Sequence, residues 1–126
     1  MEPEYSAAVV EHFQTPRNAG RLPAGEGVIQ GVAGSVAQGT LFALSARVAG
    51  ERIEAVRFEA YGCPHCIAAG SWLSERLVGL TQAELREWRW RAAADALKFP
   101  PEKRGRLLIL EDAVKALSEA WRRAVP

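Results

Sequence analysis

Cysteine occurs at two positions in this chain, and the four residues Cys63-Pro64-His65-Cys66 hold both of them. Thiolate is a soft ligand for zinc, iron and iron–sulfur clusters and also the nucleophile of sulfur exchange. A pair this close therefore points to metal binding, persulfide transfer or dithiol redox chemistry. Cys63 is the candidate thiolate, as sulfur acceptor or ligand, and Cys66 the second ligand or resolving thiol. His65 adds an imidazole suited to an auxiliary ligand or a base. In a reducing compartment such spacing is read as functional before it is read as a structural bridge. The bland alternative is two small thiols that merely pack, and the absence of any other cysteine weighs against it.

The pair lies where the hydrophobic period changes. Upstream, Phe42, Leu44, Ala46 and Val48 share one face of an alternating run from Thr40 to Val48, and Val56, Phe58 and Ala60 oppose Arg57 and Glu59 in a second run from Ile53 to Tyr61. With a further strand over Val28 to Gln38 and a turn at Ala49-Gly50-Glu51, these predict an antiparallel three-stranded meander. Beyond Gly62, residues Cys66, Ile67, Gly70, Leu73 and Leu77 recur at helical spacing up to Gly79. The cysteines thus sit at a strand-to-helix junction. The N–H groups and positive dipole end of a helix start there stabilise a thiolate and lower the Cys63 pKa.

The remaining elements follow from caps and breakers. Tyr5 to Gln14 reads as a short helix with Val9, His12 and Phe13 close together, stopped at Pro16-Arg17-Asn18. Residues 16–27 carry too many Gly and Pro for a periodic element. Thr81-Gln82-Ala83-Glu84 resembles a capping box, Ala92 to Leu97 a short helix, and Phe99-Pro100-Pro101 a break. Leu107, Leu110, Val114, Leu117 and Trp121 line one stripe of a terminal helix. Strands followed by helices predict an α+β fold, a three-stranded antiparallel sheet packed against several helices.

The chain has 126 residues, 48% hydrophobic and 25% charged, with 16 Lys+Arg against 15 Asp+Glu. That is one domain spanning residues 1–126, large enough to fold without disulfide or metal staples. A formal charge of +1 gives no electrostatic footprint for nucleic acid or an anionic membrane. No apolar run approaches a membrane span. The acidic Met-Glu-Pro-Glu-Tyr start lacks the features of an export signal, so a cytoplasmic location is expected.

Several separated motifs resemble one family. Tyr61-Gly62-Cys63 followed by Ile67-Ala68, Ser71, Glu75 and Gly79 is similar to the cysteine-bearing corner of the IscU/NifU-type iron–sulfur cluster assembly scaffolds. Tyr5, Glu11-His12-Phe13 and Pro16-Arg17-Asn18-Ala19-Gly20 resemble that family's opening helix and turn, and Leu110 to Leu117 its final helix. The resemblance implies the family's fold and a role in cluster assembly, binding an iron–sulfur cluster or a single iron or zinc ion, or accepting sulfur. It implies a cysteine desulfurase and other assembly proteins as partners, and a scaffold or carrier more than an enzyme. It also exposes what is missing. Family members typically use three cysteines and an aspartate, with a histidine beside the last cysteine. Here the first cysteine position corresponds to Gln38, the aspartate to Thr40, and the last His-Cys pair to Gly105-Arg106. Only Cys63 survives, and Arg is a permanent cation that coordinates no metal. Cys63, Cys66 and His65 then form at most a partial ligand set, needing a partner protein, a thiol cofactor, water or a second copy in a homodimer. Arg106, if it lies near Cys63, favours thiolate or an anionic sulfur species.

Three other features have simpler readings. Pro100-Pro101-Glu102-Lys103 resembles the segment by which such scaffolds meet a specialised chaperone, but Glu102 resists burial in an apolar groove, which favours a plain inter-helix break. Arg86 to Arg91 interleaves Trp88 and Trp90 with cations, yet the neutral total charge favours anchoring of a helix junction over nucleic acid. His12 reads as a helix residue near the core. A thioredoxin-like oxidoreductase would suit Cys-Pro-His-Cys, but that fold needs strands after the pair and here they all precede it. Dithiol redox chemistry on the scaffold-like fold remains an alternative, as does an adaptor that only binds a desulfurase.

Overall fold

A computed structural model describes residues 5–124. Strands β1 (Val28–Ser35), β2 (Thr40–Ala49) and β3 (Arg52–Tyr61) form one antiparallel sheet in chain order. Helix α1 (Ala7–Gln14) precedes it. Helices α2 (Pro64–Arg76), α3 (Gln82–Arg86) and α4 (Arg91–Leu97), a 3-10 turn at Pro101–Lys103 and the long α5 (Gly105–Ala124) follow. This is the expected α+β architecture.

The alternation in the sequence becomes pairing in the sheet. Phe42 lies opposite Ala60, Leu44 opposite Phe58 and Ala46 opposite Val56. All of these except the half-buried Ala60 are removed from solvent. Each fully buried Leu or Phe contributes about 1.5–3 kcal/mol relative to exposure. The first strand ends earlier than its expected limit at Gln38, because Ser35 Oγ accepts the Gln38 N–H at 3.1 Å and the Gly39 N–H reaches the Val36 carbonyl at 2.9 Å, turning the chain into β2.

The helices cover the sheet as their stripes dictate. α5 crosses β1 and β2, α2 packs on β3, and α1 packs on α2. Leu107, Leu110, Val114, Leu117 and Trp121 are all buried. Gly31 makes the α5 approach feasible, since a Cβ there would collide with the Leu117 backbone nitrogen and the Ala113 carbonyl. Gly70 of α2 does the same for the Phe58 ring.

Local caps fix the remaining ends. Ser6 Oγ accepts the Val9 N–H at 3.1 Å at the start of α1 and donates to the Leu97 carbonyl at 2.6 Å. The capping box is present: Thr81 Oγ1 accepts the Glu84 N–H, and the Glu84 carboxylate accepts the Thr81 N–H. Trp88 and Trp90 pack half-buried on the core. The Trp90 N–H donates to Glu111 Oε1 at 2.8 Å, and the Arg91 guanidinium stacks 4.9 Å from the Trp90 ring centre. That is a helix-junction anchor. The α1 stripe is narrower than expected: Val9 and His12 are buried, whereas Phe13 is 41% exposed. Among the described residues no helix is long and apolar enough to cross a membrane.

Candidate functional site

The strand-to-helix corner places the two thiols differently. Cys63 is the N-cap of α2 with extended backbone, and Pro64 fills the first helical position, where a missing N–H does no harm. The Cys63 side chain makes no capping hydrogen bond to its own helix. Both thiols are free; Cys63 is partly exposed and Cys66 is fully buried. Their Sγ atoms lie 3.9 Å apart. Gly62, at φ +152°, turns the chain where a Cβ would come within 2.7 Å of Cys66 Sγ and 3.4 Å of the Gly39 carbonyl oxygen. The corner therefore depends on glycine here.

Surroundings push the two thiols in opposite directions. At Cys63 burial raises the pKa, but the backbone N–H groups of Cys66 and His65, the Cys66 thiol and the Arg106 charge together hold it below the ordinary thiol value. At Cys66 burial dominates, the neighbouring Cys63 charge adds to it, and the pKa is pushed up to about 11. Arg106 lowers both. The Arg106 charge is thus felt at both sulfurs, and its Nε is buried. One thiol is partly exposed and shifted toward its anion, while the other is enclosed and shifted toward its protonated form.

His65 has a different place from the one expected of an auxiliary ligand or base. Its ring is buried, 4.9 Å from the Tyr5 ring and 4.9 Å edge-on from the Phe99 ring. Its backbone N–H, rather than its ring, acts to lower the Cys63 pKa. Phe99 is held in the same core, so the segment likened to a chaperone-recognition motif keeps its leading aromatic inside and exposes Pro101 and Glu102.

The resemblance likens Gln38, Thr40 and Arg106 to the family's other ligand positions. Leu41 pairs with Tyr61, so the β1–β2 turn runs beside Gly62 and Cys63. Gln38 on that turn is exposed and hydrogen-bonds Ser35, while Thr40 is buried at the start of β2. Neutral amide and hydroxyl groups are weak ligands and the third position is a cation. Among the described residues no three His, Cys, Asp or Glu side chains form a group able to hold a metal ion. These residues do not fit a cluster held by one chain.

Spacing alone did not show the network behind the corner. His12 Nδ1 lies 2.8 Å from Ser71 Oγ, which also accepts the Arg17 N–H at 2.8 Å. Ser74 Oγ accepts from Asn18 Nδ2 at 3.1 Å and donates to the Ser71 carbonyl at 2.7 Å. Ser71 and Ser74, buried three residues apart on one face of α2, pin the 15–20 turn to the helix that carries Cys66. Two buried serines at helical spacing were the available signal.

Comparison with known proteins agrees with this fold. The family described as "NifU-like N terminal domain" matches residues 4–124, and the chain belongs to that family. It is 35% identical over 114 residues to the iron–sulfur cluster assembly scaffold protein IscU of Escherichia coli, covering 89% of each chain. It is also 35% identical over 127 residues to the bifunctional protein NifU/MnmA of Rubrobacter xylanophilus, covering 98% of this chain but only 26% of that one. Against the iron sulfur cluster assembly protein 1, mitochondrial, of Schizosaccharomyces pombe, identity is 32% and the chain spans 62% of the relative's length. Among solved structures, a protein described as a SUF-system iron–sulfur cluster assembly scaffold from Fervidobacterium islandicum superposes with a TM-score of 0.67 at 17% identity, covering 90% of this chain and 96% of that one. A NifU-like N-terminal protein of Brucella abortus gives 0.58 at 19%, covering 96% and 94%. The two structures speak for the fold.

Proposed function

We propose that this chain serves iron–sulfur cluster assembly as a scaffold-like sulfur carrier with Cys63 as the acceptor. The observation that carries this is the Cys63 thiol, reachable at the start of α2 and held toward its anion by two backbone N–H groups and Arg106, on the fold of a scaffold family. In the transfer, the Cys63 thiolate attacks the outer sulfur of a donor persulfide, the donor's sulfur–sulfur bond breaks, and the donor leaves as thiolate. A cysteine desulfurase is the expected donor and other assembly proteins the expected recipients. A reducing cytoplasm suits two free thiols.

A cluster, or an iron or zinc ion, would be cargo on the Cys63–Cys66 pair, completed by ligands from a partner, a thiol cofactor or a second copy in a homodimer. Incubation with a cysteine desulfurase and radiolabelled cysteine tests the acceptor role. Sulfur label bound to Cys66→Ser and absent from Cys63→Ser is expected. Failure to label both wild type and Cys66→Ser contradicts it.

A further inference from the structure

We propose that Cys66 resolves the sulfur accepted at Cys63, expelling it as hydrosulfide and leaving a Cys63–Cys66 disulfide. This rests on the reading of Cys63 as acceptor and assigns the fate of its cargo. Three features lead to it. The Sγ atoms are 3.9 Å apart, a little beyond the about 3–3.5 Å of a near-attack arrangement. Cys66 is fully buried, wedged against Gly62, so an incoming donor reaches Cys63 first. Such a sulfur is well placed to attack the neighbour beside it. Rotation of the Cys63 side chain about χ1 is the movement that would bring the sulfurs from 3.9 Å to a disulfide bond length of about 2.05 Å.

The step balances. Cys66 sulfur bonds to Cys63 Sγ as its proton departs, and the bond from Cys63 Sγ to the outer sulfur breaks. That sulfur leaves with the electron pair and the proton as hydrosulfide. The outer sulfur is reduced and the two cysteines are oxidised to a disulfide. A small dithiol reductant then returns both to thiols and closes the cycle. Arg106, whose charge is felt at both sulfurs, steadies the persulfide anion and the departing sulfide.

Glutathione persulfide added anaerobically to the reduced chain tests this by intact-mass spectrometry and sulfide measurement. Wild type is expected to release about one sulfide per chain and lose two hydrogens as the disulfide forms. Cys66→Ser, with Cys66→Ala as a second variant should serine disturb the buried site, is expected to keep a stable persulfide on Cys63 and release none. A stable persulfide on wild type overturns resolution by Cys66 while leaving Cys63 as acceptor. A glutathione adduct in place of the persulfide on either Cys66 variant also overturns it, because the sulfide would then come directly from the reagent. No modification of wild type or of the Cys66 variants overturns the acceptor reading itself.

Discussion

Burial raises a thiol's pKa and donated N–H groups lower it, and at Cys63 the donors prevail because the helix start supplies two of them and α5 adds the charge of Arg106. Replacing Arg106 by Leu removes that charge while keeping an apolar stem. The rate of iodoacetamide labelling of Cys63 at neutral pH is expected to fall in Arg106→Leu and to stay closer to wild type in Arg106→Lys. An unchanged rate would show that Arg106 does not act on the thiol. His12 titrates with a different consequence. Burial first, then the Arg17 charge, holds its pKa below the ordinary value, so the native state prefers the neutral ring. The unfolded chain binds that proton at about pH 6.5, so the contribution is fully present above that pH and is lost as pH falls through the folded value. Thermal stability of wild type should therefore drop on acidification below about pH 6.5, and His12→Gln should flatten that part of the profile. Parallel slopes would contradict the account.

At the scale of elements, two glycines do separate jobs. Gly31 lets α5 lie against β1, far along the chain from the thiols, whereas Gly62 makes room for Cys66 Sγ. Gly31→Ala is expected to cost about 1–3 kcal/mol in urea unfolding through overpacking, with Cys63 labelling unchanged in the folded fraction. Gly62→Ala is expected to alter the labelling rate as well, since it crowds the buried sulfur and strains a positive φ. Equal effects of the two on Cys63 would argue against a local role for Gly62. These elements were legible in the sequence to differing degrees. The Phe42, Leu44 and Ala46 alternation and the Leu107 to Trp121 stripe each match one period, so strand and helix follow from local pattern alone. Phe13 broke the expected α1 stripe because α1 buries only a narrow face against α2.

Across the whole molecule, position in space mattered more than residue type. That Cys63 caps a helix could be read from the change of period at Gly62. That His65 would pack between Tyr5 and Phe99 could not, because the ring's direction is set by chain arriving from far on either side. The influence of Arg106 on the thiols was suggested only by the family resemblance, since no local pattern links α5 to the turn. With Gln38, Thr40 and Arg106 at the positions the resemblance assigns to ligands, what is left is one partly exposed thiol shifted toward its anion and one enclosed thiol. That difference is the central claim, and ultraviolet titration of thiolate absorbance on wild type, Cys63→Ser and Cys66→Ser reads it directly. The account predicts one ionisation below the ordinary thiol value of 9.0, lost in Cys63→Ser, and a second at about 11 that belongs to Cys66. Two thiols that both stay protonated beyond pH 9.0 would contradict it.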